Sequence, residues 1–130
     1  MRGVRYLRYI KYVLVLLLAV CGLQVSIRAQ SKATAPTITF VQVNGTTIHQ
    51  SAGMVPVSAT FSDSVGLRST ALSGGYSAVS SRYPGAPKSA VVRLYFYASY
   101  YPVGDYTFHA VAVNVSGLKT DSYITLHLVR

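Results

Sequence analysis

The 130 residues leave room for one domain. The formal charge of +9 sets twelve Lys and Arg against three Asp and no Glu, but Arg2, Arg5, Arg8, Lys11 and Arg28 crowd the first 30 positions and the remainder is +4. The other seven cations (Lys32, Arg68, Arg82, Lys88, Arg93, Lys119 and Arg130) are scattered singly, which excludes a surface that neutralises successive phosphates, so no nucleic-acid partner is expected.

MRGVRYLRYIKY is cationic without an acid, and VLVLLLAVCGLQV at 13–25 is an apolar run too short to span a bilayer comfortably. This is the layout of a secretory signal peptide over 1–30, with processing expected in SIRAQS after Ala29 or Gln30. LAVC at 18–21 resembles a bacterial lipoprotein cleavage box, which would make Cys21 a lipidated first residue. The expected location is secreted or periplasmic, with a lipoprotein or signal-anchored form as the alternative. Membrane contact would then come only through an uncleaved leader or a lipidated Cys21. Cys21 is the sole cysteine, so the exported part has no internal disulfide and must be held by packing. About 100 residues remain after cleavage, enough to bury roughly 60 to 65% of the unfolded surface.

A polar linker at 31–36 leads into a domain at 37–130 whose pattern has period two, with turn residues at regular intervals and no helical stripe. The chain is predicted to be all-β, with strands at 37–43, 55–61, 67–73, 90–98, 105–113 and 122–129. A seventh is expected at either 47–49 or 76–79. Alternation places Val55, Val57, Ala59 and Phe61 on one face of the second strand. The same rule buries Val92, Leu94 and Phe96, then Tyr106, Phe108, Ala110 and Ala112, then Ile124, Leu126 and Leu128. Strands with one apolar face pair antiparallel and need a second sheet to cover them, which predicts an antiparallel two-sheet sandwich of about seven strands. Pro56 cannot donate to a ladder, so its strand is expected to start late or lie at an edge there. The Gly-, Ser- and Tyr-rich SGGYSAVSSRYPGAPKSA at 73–90 reads either as an adaptable loop carrying rigid aromatics or as a plain long connection.

PVGDYTFHAVAVNVSG at 102–117 sets a turn, then an aromatic followed by small inward residues, then Asn114 and Gly117. The pattern P-x-G-x-Y-T-F-x-A-x-A-V-N-x-x-G resembles the sixth strand and following loop of fibronectin type III and bacterial immunoglobulin-like domains. FSDSVGLRSTAL at 61–72 is similar to the D-x-x-G-[VL] stretch of the bacterial modules. The resemblance implies an immunoglobulin-like sandwich in which Tyr106 serves as the tyrosine corner, packing under the end of the sandwich and bonding back to upstream backbone. The chain has no Trp, and its exported part has no Cys, so the bacterial immunoglobulin-like group is the better match.

Catalysis is not expected: Asp63, Asp105 and Asp121 all fall at expected turns, and no nucleophile-elbow pattern frames a serine. If Asn114 sits opposite Ser122, His109 faces His127, but two imidazoles without a third ligand do not make a metal site. Three Asp so far apart in sequence make a poor calcium loop, so no metal and no cofactor is expected. Asn44 in NGT and Asn114 in NVS fit glycosylation sequons. Eight of the eleven tyrosines lie beyond the leader. Tyr76, Tyr83, Arg93, Tyr95, Tyr97, Tyr100 and Tyr101 are the candidate binding surface, since exposed Tyr and Arg suit protein interfaces and flat aromatics stack on sugar rings. The expected function is that of an exported structural or binding module acting by non-covalent contact with a protein partner or envelope component. A small carbohydrate-binding module using the same tyrosines is the alternative.

Overall fold

A computed structural model describes residues 33–130. The leader, its cleavage points, Cys21 and the start of the linker lie outside the described residues. Eight strands form: β1 (Thr37–Phe40), β2 (Thr47–His49), β3 (Met54–Ser62), β4 (Leu67–Gly74), β5 (Ser77–Arg82), β6 (Ser89–Tyr97), β7 (Gly104–Asn114) and β8 (Lys119–Val129). Both candidates for a seventh strand are therefore present, the second displaced to 77–82. They build a three-stranded sheet ordered β1-β3-β6 and a five-stranded sheet ordered β2-β8-β7-β4-β5. All pairs are antiparallel except β2 with β8, which run parallel.

The core lies between the sheets. Val57, Ala59 and Phe61 of β3, Val92, Leu94 and Phe96 of β6, Phe108, Ala110 and Ala112 of β7, and Ile124, Leu126 and Leu128 of β8 are all buried, as the alternation requires. Val55 and Tyr106, at the strand ends, are half-buried and pack against this core. Burying one such Phe or Leu is worth about 1.5–3 kcal/mol, so the interleaved rows carry the domain without a staple.

β4 breaks the period. Leu67 pairs with Asn114 and Ser69 with Val113, so two residues of β4 stand opposite one of β7 and Arg68 is the extra residue of a β-bulge. The bulge lets Leu67 and Leu72, of opposite parity, both point inward.

Pro56 lies inside β3 rather than before it, opposite Tyr95. β1 ends at Phe40, short of the expected residue 43, so β3 is locally an edge where Pro56 sits. There Gln42 takes over from backbone: its amide donates to the Pro56 carbonyl at 2.6 Å and accepts from the Ser58 N–H at 3.1 Å.

The stretch 73–90 is mostly not a loop. It holds the β4–β5 hairpin, whose register runs from Gly74 with Ser77 to Ser69 with Arg82, and the start of β6. The remaining irregular piece is tied down, with Leu67 N–H donating to the Pro87 carbonyl and Asp63 N–H to that of Lys88.

Asp63 and Asn114 close the opposite end from this hairpin's turn. The Asp63 carboxylate accepts from the N–H groups of Gly66 (2.8 Å) and Val65 (3.0 Å), while its other oxygen accepts from the Asn114 amide at 3.1 Å. That amide also donates to the Thr34 carbonyl at 2.9 Å and its oxygen accepts from Leu118 N–H at 2.9 Å. Burial pushes the Asp63 carboxyl up, but the bonds from Gly66, Asn114 and Val65 outweigh it and hold the group below its ordinary value.

Candidate binding surface

The hydroxyl of Tyr106 donates to the carbonyl of Pro102 at 2.6 Å, across the turn that feeds β7. Burial pushes its phenol up, with Tyr76 and Tyr101 adding to the shift, which keeps the hydroxyl a donor. Its ring belongs to a cluster at one end of the sandwich. Phe96 lies at its centre, 5.0 Å from Tyr106, 5.4 Å from a nearly parallel Tyr101 and 5.6 Å from Phe108 edge-on. Tyr76 extends the cluster outward, 5.2 Å from Tyr101 between ring centres, while remaining 84% exposed.

Local sequence dictates how Tyr76 reaches that position. Gly74 and Gly75 turn the β4–β5 hairpin where a Cβ would stand 2.6 Å from Phe108 and 2.5 Å from Phe96, so only glycine lets the turn settle on these rings. Tyr76 follows with φ +63°, a left-handed conformation that costs a side-chain-bearing residue about 1–2 kcal/mol. The strain lies in an exposed aromatic, where core packing gives little return.

Tyr101 is fixed from behind. The Gln50 amide donates to its carbonyl at 2.7 Å, and the buried Ala98 donates its N–H to the Gly53 carbonyl at 2.8 Å. Tyr100, 79% exposed, projects from the short 3-10 turn Ala98–Tyr100 and lies 5.8 Å from Tyr97. Tyr97 and Tyr95 share the outer face of β6 with Arg93, whose Nε–H donates to Ser58 Oγ at 3.3 Å. Met54, opposite Tyr97 and exposed, adds an apolar contact that the alternation had not marked.

The candidate residues thus divide. Tyr76, Tyr101 and Tyr106 form one cluster, and Tyr95, Tyr97 and Tyr100 with Arg93 form a stripe around the same end. Tyr83 stands apart, at the far end of the β4–β5 hairpin, half-buried and hydrogen-bonded through its hydroxyl to Thr70 Oγ1 at 2.9 Å. Tyr123, passed over in the sequence, is exposed on the outer face of β8 and stacks on His109 with ring centres 4.3 Å apart.

The histidines do not face each other. The loop after Asn114 closes tightly, with Gly117 N–H bonded to the Asn114 carbonyl and Val113 opposite Lys119, so β8 begins three residues earlier than expected. His109 consequently faces Tyr123 and His127 faces Asp105. His109 Nε2 meets Asp121 Oδ1 at 2.7 Å, and His127 pairs with the Asp105 carboxylate. Asp105 and Asp121 are strand residues and not turn formers, while Asp63 is committed to the bonds given above. Among the described residues no Ser or Thr hydroxyl bonds to either imidazole, and no three His, Cys, Asp or Glu come together. Asn114 is fully buried, so its side chain is not an open acceptor for a glycan, whereas Asn44 is exposed and bonds Thr125 N–H at 2.8 Å.

No protein-family model matches the sequence, and no curated protein sequence does. Among solved structures, the chain is similar to part of the endo-β-1,4-mannanase from Thermotoga petrophila, with TM-score 0.53 and 14% identity over 78% of this chain and 21% of that one. It spans about a fifth of that enzyme's length. The fibronectin(III)-like modules of Clostridium thermocellum CbhA align over 71% of this chain and 94% of theirs, with TM-score 0.47 and 21% identity. The two sheets and their strand order are those of an immunoglobulin-like β-sandwich.

Proposed function

We propose that this chain is an exported immunoglobulin-like module that works by non-covalent contact, without catalysis, and binds a protein partner or envelope component through its tyrosine-rich end. The observation that carries the reading is Tyr76: a left-handed, 84% exposed aromatic, held out on a glycine turn and packed at a tilt against Tyr101. Rigid tyrosines present large amphipathic contact area at low entropic cost, and Tyr100, Tyr97 and Tyr95 continue that surface. A carbohydrate ligand is the second reading. It is favoured by Tyr95 and Tyr97, two exposed aromatics on the outer face of β6, since aromatic rings suit stacking against pyranose rings.

The test pairs purified envelope proteins with an array of neutral glycans and compares the natural chain with Tyr76→Gly and with the double variant Tyr95→Ala, Tyr97→Ala. Glycine at position 76 relieves the backbone strain, so this variant should fold at least as stably while losing the partner. Sugar binding that disappears in the Tyr95, Tyr97 variant would establish the second reading instead. Undiminished binding by both variants would refute the assignment of this surface.

A further inference from the structure

We propose that the groove at the far end of the β4–β5 hairpin binds a carboxylate-bearing sugar, a uronate residue of an acidic glycan. The proposal does not depend on the tyrosine-rich end. The groove has a volume of about 450 Å³ and is lined by Arg68, Ser69, Arg82, Tyr83 and Pro84. That is the scale of small-ligand sites, which run to about 300–1,000 Å³, and too large for a bare inorganic anion.

Two arginines line the groove for structural reasons. Arg68 is the extra residue of the β-bulge, a device that re-aims a side chain. Its carbonyl accepts from Tyr83 N–H at 2.8 Å, and its Nη2 donates to the Val115 carbonyl at 3.0 Å, which orients the guanidinium while leaving most of its donors free. Arg82 stands opposite Ser69 on the neighbouring strand, so two cations flank one serine hydroxyl.

Neither arginine has an acidic partner among the described residues. All three acids are engaged elsewhere: Asp63 with Val65, Gly66 and Asn114, Asp105 with His127, and Asp121 with His109 and Lys119. An anion seated in the groove gains charge-assisted, fork-shaped hydrogen bonds from unpaired guanidinium donors. A planar carboxylate matches the guanidinium fork. Tyr83 and Pro84 supply an apolar wall for the C–H face of a pyranose ring, and Ser69 supplies a partner for a ring hydroxyl. Two cations are too few to track a nucleic-acid backbone.

The experiment titrates the chain with tri-galacturonate, followed by backbone amide NMR shifts and calorimetry, alongside a neutral trisaccharide, sodium sulfate and an acidic tetrapeptide. The expected result is saturable uronate binding that moves the amides of 68, 69, 82 and 83 and weakens with added salt, while the neutral sugar leaves those amides unmoved. Arg82→Gln should weaken it about tenfold or more, because a charged bidentate contact is lost. Arg82→Lys, which keeps the charge but not the fork, should weaken it less, and Arg93→Gln and Tyr76→Gly should leave it unchanged. Absence of saturation, sulfate bound as tightly as the uronate, or the tetrapeptide bound more tightly would each overturn the proposal.

Discussion

Replacing Asn114 by Ala should destabilise the domain by about 3 kcal/mol. The side chain is fully buried and makes three hydrogen bonds, which do not weigh equally. The Thr34 carbonyl lies in an exposed segment and turns to water at little cost. The bond to the Asp63 carboxylate is charge-assisted and worth about 1.5–3 kcal/mol, and the bond from the Leu118 N–H is an ordinary one of about 0.5–1.5 kcal/mol. For a domain of this size about 3 kcal/mol lowers the melting temperature by roughly 12–24 °C. Urea and thermal unfolding at neutral pH, followed by far-UV circular dichroism, would measure it. Asn114→Asp sharpens the test: it keeps the acceptor for Leu118 but sets a second carboxylate against Asp63, so it should be worse than Ala at neutral pH and recover on acidification. A loss below about 1 kcal/mol for Asn114→Ala would refute the reasoning, since it would mean that Asp63 is satisfied without the amide.

Because the Asp63 carboxyl is held below its ordinary value of 3.8, its bonds contribute stability that is fully present above that value and is lost as the pH falls through the lower folded one. Asp63→Asn should therefore cost stability at neutral pH, and its deficit relative to the natural chain should close in strong acid, as read from urea midpoints across a pH series. Gly75→Ala places a methyl 2.5 Å from the buried Phe96 ring in a left-handed turn; overpacking and backbone strain together should cost about 2–4 kcal/mol, seen as a lower urea midpoint with an unchanged slope. Tyr106→Phe removes the bond to the Pro102 carbonyl but keeps the ring among Phe96 and Tyr101, so a loss of only about 0.5–1.5 kcal/mol is expected in the same assay.

The sandwich was legible because burial in a two-sheet fold leaves a period-two trace, and rows such as Leu94 with Phe96 or Leu126 with Leu128 follow it without interruption. Local insertions hide from such a rule. The bulge at Arg68 reverses parity between Leu67 and Leu72, and nothing in LRSTAL announces it. The β7–β8 register went astray for a related reason: the loop is closed by the buried Asn114 side chain, which period-two reasoning treats as a mere strand end. Polar burial at Asp63 and Asn114 was equally invisible, because a carboxylate beside a glycine reads as a turn whether its oxygens face water or backbone N–H groups. Of the candidate surface, exposure on β6 followed from alternation. The contact between Tyr76 and Tyr101 joins residues 25 positions apart in sequence and required the folded hairpin.

The parallel pairing of β2 with β8 bears on how the domain would carry tension. Three consecutive pairs, Thr47 with His127 through His49 with Val129, are extended by the bonds Gly45 N–H to the Thr125 carbonyl and His127 N–H to that of Thr46. An opposed pull on the chain entering β2 and the chain leaving β8 acts along these strands, so the bonds are sheared together and do not open one at a time like a zip. Forced unfolding is governed by the barrier and not by the equilibrium stability. In this domain that barrier would rest on a short, cooperative patch joining the second strand to the last.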